Sequence, residues 1–142
     1  MSVLGNIRAE WPLRIGLGLM YLYSGLSLVR HPLDWQGFLP MWFSDAVSRI
    51  VPLTAYLKVQ GIGELALAFV LLAWFLPQGL VRIAAGLAAL EMAGILLFTG
   101  IDLVTFRDIG LLGAALALWV LTAGGREQPA GKPGREFHAN VF

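Results

Sequence analysis

Two carboxyl side chains, Glu64 and Glu91, fall inside long apolar stretches of this sequence, where an ionised group is costly. At about 1.5 Å per helical residue, Glu64 lies about 12 Å and Glu91 about 10 Å from the same membrane face. Because their helices run in opposite directions, the two carboxyls lie at similar depth and could face each other. Desolvation and like-charge repulsion would then favour a proton on at least one of them. The spacing predicts a proton-handling pair. The alternative is that each carboxyl is neutral or paired with Lys58 or Arg107 and simply fixes helix packing.

Other polar side chains lie in the same half of the apolar region. Gln60 is one helical turn from Glu64, and Tyr21 lies late in the first apolar stretch. Arg107 and Asp108 stand at the mouth of the last stretch. A carboxylate near a helix amino terminus is electrostatically favoured, so a capping role explains Asp108 without any binding site, and we prefer that role for the two residues.

Four apolar segments must position these groups: Trp11–Val29, Tyr56–Leu76, Leu80–Phe98 and Ile109–Thr122. Hydrophobic residues make up 58% of the 142 residues and charged residues only 13%, about half the usual share of roughly 25%. A soluble domain of this size could not bury so much apolar surface. The first three segments have the length of about 20 residues that a spanning helix needs, and the fourth is short unless it begins within Arg107–Asp108. The sequence predicts an all-α integral membrane four-helix bundle over residues 1–122 and a flexible tail over 123–142.

The segment Pro32–Pro52, between the first two apolar segments, is amphipathic. Its apolar side chains recur at helical spacing opposite a polar face: Trp35, Phe38, Leu39, Trp42, Ala46 and Ile50. Pro40 is expected to divide the segment into two short pieces. An apolar face rich in Trp and Phe is typical of a helix that lies in the membrane interface. The alternative is a loop packed on the outer end of the bundle.

Small residues recur at packing distances within the spans. On the third span they are Ala85, Ala89 and Ala93, and on the fourth Gly110, Gly113, Ala114 and Ala117. On the first span, Gly18 and Gly25 share a helical face with Arg14 and Tyr21. Small side chains let helix backbones approach closely in lipid, so we interpret these faces as structural.

Several classes of function are excluded by composition. The chain has no cysteine, and its two histidines, His31 and His138, lie outside the apolar segments. Disulfides, iron–sulfur clusters, thiolate metal sites and a haem held by two intramembrane histidines are therefore not available from this chain. No paired metal motif or nucleotide-binding loop is present. A net charge of +1 argues against nucleic acid as a partner.

The distribution of basic residues predicts the orientation. An even number of spans leaves both termini on one side, which carries the larger number of cations: Arg8, Arg14, Arg82, Arg126, Lys132 and Arg135. The positive-inside rule then predicts that both termini are cytoplasmic. No small-x-small cleavage site follows the first apolar segment, so we expect it to be a retained anchor.

Short motifs along the chain resemble those of the DoxX/DoxD family of small four-helix membrane proteins. They are Tyr23–Leu26 late in the first helix, Gly61–Glu64 in the second, Arg82–Ala85 opening the third and Arg107–Leu112 opening the fourth. The resemblance covers about Trp11 to Thr122 and rests on the order and spacing of these motifs. It implies a four-helix bundle in a bacterial-type inner membrane. It also implies a link to redox metabolism, since a DoxD-type member is the membrane subunit of a thiosulfate:quinone oxidoreductase.

The leading hypothesis is therefore a quinone-associated membrane component of a redox system, with electrons supplied by a protein partner. The two intramembrane carboxyls would exchange protons with the quinone headgroup. Candidate contacts of that headgroup are Tyr21, Gln60, Arg107 and Asp108. The alternative is a non-enzymatic accessory or assembly subunit that holds a partner, or a second copy, in place. A small-solute transporter ranks third, because one four-helix chain is small for alternating access and shows no inverted repeat.

Overall fold

The computed structural model describes residues 9–103 and 105–124, and all regular structure within these ranges is helical. In chain order the elements are α1 (Glu10–Arg30), a 3-10 helix (Pro32–Phe38), α2 (Met41–Ser48), α3 (Leu53–Leu72), α4 (Gln78–Thr99) and α5 (Phe106–Gly124). The helices α1, α3, α4 and α5 are each long and apolar enough to cross a membrane. The predicted all-α fold with four spans is confirmed, and its four apolar helices are those of a multi-pass membrane protein.

The third helix, α3, ends at Leu72, four residues before the end predicted from the sequence. Ala73 has extended backbone with ψ at 113°, and Pro77 disfavours helical geometry in the residue before it. Arg14 of α1, only 2% exposed, takes up the carbonyl groups that this ending leaves without partners. Its Nε donates to the Leu71 carbonyl at 2.9 Å and its Nη2 to the Ala73 carbonyl at 2.6 Å. Arg14, which in the sequence counts only as one of the basic residues that predict orientation, thus caps the carboxyl end of α3.

The last helix, α5, begins at Phe106, so Arg107 and Asp108 belong to its first turn and the helix reaches 19 residues. This start supplies the length that the fourth apolar segment lacked. From residue 125 onward, the predicted tail lies outside the described residues.

The turn before α5 is closed by side-chain hydrogen bonds. Asp102 Oδ1 accepts the Thr105 N–H at 2.7 Å, and the Thr105 hydroxyl accepts the Asp102 N–H at 2.8 Å, a reciprocal arrangement like that of a capping box. The same hydroxyl donates to the Gly100 carbonyl at 2.7 Å. Gly100, with φ at +82°, ends α4 in a conformation that favours glycine.

Successive long helices run antiparallel and pack in pairs. The helix α1 packs most extensively on α3, and α4 on α5, whereas α3 and α4 touch over a much smaller surface. Gly25 and Gly61 make the α1–α3 crossing: a β-carbon on either residue would lie 2.8 Å from the carbonyl oxygen of the other. The face of α1 that carries Arg14, Gly18 and Tyr21 is buried here. Glycine allows this approach because it has no side chain to hold the two backbones apart.

The two predicted faces of small residues have different environments. Ala85 and Ala89 of α4 are buried and belong to the core shared by the four long helices. On α5, by contrast, Gly110, Gly113 and Ala117 are exposed. The small-residue face of α5 is therefore not used for packing within the described chain.

The amphipathic segment forms two short helices separated at Pro40, as predicted. Its apolar face is partly exposed: Trp42 is 55% and Ile50 85% exposed, whereas Trp35 is half-buried and donates to the Ser27 hydroxyl of α1 at 3.0 Å. The other side is attached to the long helices: the Phe43 ring contacts Tyr56 of α3, with 5.6 Å between ring centroids. The segment thus packs on the bundle and also presents an apolar surface outward, which suits an interfacial position; that position stays a prediction.

Candidate functional site

The intramembrane carboxyls Glu64 of α3 and Glu91 of α4 lie near each other, within electrostatic range across the narrow α3–α4 contact. Glu64 is 7% exposed, and Glu91 is half-buried. The two carboxyls lie at similar positions along antiparallel helices, which is the arrangement that their spacing in the sequence predicted. Of the alternative ion-pair partners, Lys58 forms no salt bridge with either carboxyl, and Arg107 acts on Asp108 beside it.

Each carboxyl accepts a hydrogen bond from a different uncharged donor. The Ser24 hydroxyl of α1 donates to Glu64 Oε2, and the Gln60 amide donates to Glu91 Oε1. Gln60 also lies within range of Glu64, so it stands between the two acids. Sequence analysis identified Gln60 but missed Ser24. The available signal was its place directly before Gly25, where the backbones of α1 and α3 meet.

Tyr21 of α1 completes the cluster from the side of the core. Its side chain is 1% exposed, and its hydroxyl has no hydrogen-bond partner in acceptable geometry. The hydroxyl nevertheless lies next to Glu91, with Glu64 and Asp108 further away but still within electrostatic range. An unpaired buried hydroxyl is unusual, because its desolvation is then not compensated. Here it faces acidic groups only, which makes it part of the same site.

A groove between α3 and α4 leads from the lipid-facing surface to the two carboxyls. It has a volume of about 610 Å³, and most of its wall is apolar. Exposed side chains such as Val59, Ile83 and Leu90 form its outer edges, so it opens laterally, toward the region that lipid would occupy. Gln60 and the two carboxyls supply its polar end. The groove follows from the limited α3–α4 contact, since these are the two neighbouring helices that pack least closely.

The short helix α2 lies over one end of this groove, on the side where α1 connects to α3. Its Phe43 contacts Tyr56, which lines the groove, and its Trp42 contacts Phe98 of α4 at 5.7 Å between ring centroids. One short helix thus bridges the ends of α3 and α4. The groove is open along its side, and α2 contacts its lining residue Tyr56 at that end.

The remaining predicted contacts lie apart from the groove. Tyr21 is behind the carboxyls, in the core, and does not line the groove wall. Arg107 is exposed at the start of α5, and its charge acts on the half-buried Asp108 beside it. Asp108 is linked to the site only electrostatically, through Tyr21. Of the four residues predicted to contact a headgroup, Gln60 alone lines the groove.

No cluster of His, Cys, Asp and Glu side chains in the described ranges could hold a metal ion. Comparison of the chain with known protein families, curated proteins and solved structures gave no match. The functional argument therefore depends on the site itself.

Proposed function

We propose that this chain is a DoxX/DoxD-like inner-membrane component of a redox system, which binds a quinone in the groove between α3 and α4. Both termini are cytoplasmic in this proposal. A protein partner supplies two electrons, and Glu64 and Glu91 exchange the two protons that convert the quinone to its quinol. The observation that carries the proposal is the groove: an apolar channel that opens to lipid and ends at two carboxyls.

The shape of the groove suits a lipid-borne amphiphile. A molecule dissolved in the bilayer enters sideways without crossing water, and its tail lies along apolar walls of the kind that line ligand pockets. The tail gains little by moving from lipid to these walls, because both are equally apolar. Affinity and specificity must therefore come from the polar end.

The chemistry of the polar end suits a quinone headgroup. Quinone carbonyl oxygens accept hydrogen bonds, and quinol hydroxyls donate them. The Gln60 amide can donate to the oxidised form, and a carboxyl can donate when protonated and accept when ionised. A pair of carboxyls can therefore serve both forms and hold the protons that pass between them. The Ser24 hydroxyl holds Glu64 in position from the α1 side.

One observation favours the alternative, an accessory or assembly subunit. The small-residue face of α5, formed by Gly110, Gly113 and Ala117, is uncovered within the described chain. Faces of this kind pack closely against another transmembrane helix. A partner helix or a second copy on α5 is compatible with a quinone in the groove, because the two features lie on different helices.

Quinone binding is tested with Gly63, which lines the groove and where an added β-carbon would meet no other atom within 4 Å. A Gly63→Leu variant should fold, fill the groove and weaken binding of a short-tailed quinone at least tenfold. Gly16→Leu is the matched control, because Gly16 is equally open but lies on α1, away from the groove. Binding to purified protein in nanodiscs can be followed by tryptophan fluorescence. Equal affinity in both variants would refute the groove as the quinone site.

Proton handling is tested by infrared difference spectroscopy across pH. Wild-type protein should show a protonated-carboxyl band at neutral pH, and each of Glu64→Gln and Glu91→Gln should shift the titration of the remaining acid, because a shared proton belongs to the pair. Both variants should also lose quinone-linked turnover while retaining their fold. A wild-type spectrum without any protonated carboxyl at pH 7 would contradict the proposal.

A further inference from the structure

Within the described residues, no salt bridge joins either carboxyl of the pair to a lysine or an arginine. The groups that act on Glu64 are Ser24, Gln60 and Glu91, and those that act on Glu91 are Tyr21 and Gln60. None of them is a lysine or an arginine, within the part of the chain that the structure describes. Buried carboxylates are ordinarily compensated by a cation or by protons. Because no described cation pairs with these two acids, a proton or a bound cation must compensate them.

Tyr21 approaches the acids from the core side, and its buried hydroxyl lies next to Glu91 without a hydrogen bond of ordinary geometry. The Ser24 hydroxyl and the Gln60 amide donate hydrogen bonds to the two acids. Uncharged donors of this kind stabilise carboxylate charge but do not neutralise it, so the ligand that this site attracts is a cation.

The groove determines which cations can reach this environment. Its walls are mostly apolar, and its side opens toward the region that lipid would occupy. A strongly hydrated metal ion would have to shed its water to pass between apolar walls. A cation with an apolar tail can approach along the bilayer instead. Tyr56, which lines the groove, offers an aromatic face of the type that attracts quaternary ammonium groups.

We infer that the groove binds a lipophilic monovalent cation, of the alkylammonium class, in exchange for a proton held by the carboxyl pair. The ammonium head lies against Glu64 and Glu91, the tail follows the apolar wall, and one proton leaves to water for each cation bound. This function goes beyond the proposed redox role and does not depend on it.

The charged and titratable groups around the pair come from three helices. Tyr21 faces it from α1, Tyr56 lies on α3 with Glu64, and Asp108 of α5 acts on Tyr21 at longer range. Arg107 acts on Asp108. Tyr56, Glu64 and Glu91 line the groove, and the two acids are the groups that exchange the proton in this proposal, so proton release should depend on them.

The test measures proton release from purified protein in weakly buffered nanodiscs when dodecyltrimethylammonium is added. Wild-type protein should release up to one proton per chain, and the uncharged alcohol with the same tail should release none. Over the pH range in which the pair holds the exchanged proton, the apparent dissociation constant should fall about tenfold for each unit rise in pH, as expected when one proton competes with one cation. Glu64→Gln and Glu91→Gln should each reduce the release, and Gly63→Leu should abolish binding while leaving both acids in place.

Gly16→Leu should behave as wild type, which controls for the added side chain. Thermal unfolding followed by tryptophan fluorescence checks that every variant is folded. If an acid variant does not fold, the comparison of Gly63→Leu with wild type still tests the inference. Release that persists in Gly63→Leu, or that the alcohol also produces, would overturn the inference. Quinone binding is measured in the same samples. Quinone binding without proton release on addition of the ammonium would contradict this inference and leave the redox proposal standing. Proton release without quinone binding would contradict the redox proposal and support this inference.

Discussion

The glycine contact between α1 and α3 gives the sharpest stability prediction. A β-carbon on Gly61 would lie 2.8 Å from the Gly25 carbonyl oxygen and 2.8 Å from Leu28 Cβ. The first of these neighbours is backbone, which cannot turn aside as a long side chain can. To reach the 3.4 Å of an ordinary contact, the helices must separate by about 0.6 Å. We therefore expect Gly61→Ala to destabilise the bundle.

The magnitude follows from comparison with Gly63, two residues along the same helix. Overpacking of this kind costs about 1–3 kcal/mol. Replacing glycine by alanine in a helix also contributes roughly 1 kcal/mol of favourable helix propensity, and this contribution is common to both positions. Because a β-carbon on Gly63 meets nothing within 4 Å, Gly63→Ala carries the propensity gain alone. The difference in free energy of unfolding between the two variants should be about 1–3 kcal/mol.

The assay is equilibrium unfolding in mixed micelles, followed by tryptophan fluorescence. Gly61→Ala should unfold at a lower fraction of denaturing detergent than wild type, and Gly63→Ala at the same or a higher fraction. The Ser24–Glu64 hydrogen bond crosses the same interface, so Gly61→Ala should also weaken quinone and ammonium binding. Equal stability of the two alanine variants would refute the close α1–α3 approach.

Three further predictions concern the helix cap, the orientation and the short helices. Arg14→Ala leaves the carbonyls of Leu71 and Ala73 without donors and should cost at least about 2 kcal/mol in the same unfolding assay, whereas Arg30→Ala, at the exposed end of α1, should cost little. A reporter fused after Thr122 should be cytoplasmic, and a periplasmic signal would contradict the proposed orientation. In single-tryptophan variants, Trp35 and Trp42 should be quenched by lipid-attached agents at headgroup depth; stronger quenching by aqueous agents would mean that the segment is a solvent-exposed loop.

Much of the fold was accessible from local sequence alone. In lipid every backbone polar group must be bonded within its own segment, so a long apolar run has little choice but to be a helix. Composition and length therefore predict four spans, and the 3.6-residue period predicts the amphipathic helix around Trp42. The similar depth of Glu64 and Glu91 is also a local property, because it needs only the rise per residue and antiparallel neighbours.

The remaining features depend on how the helices are rotated and how closely each pair packs, which no single segment encodes. The sequence shows Arg14 only as a basic residue near the start of α1, and the fold shows that it binds the carbonyl groups at the end of α3. Ser24 became a partner of Glu64 because Gly25 and Gly61 bring their backbones together. The groove exists because α1–α3 and α4–α5 pack closely while α3 and α4 do not. Sequence determined which groups lie in the membrane and at what depth; only the tertiary structure decided which of them meet, because contacts between helices depend on side chains that are far apart in the chain.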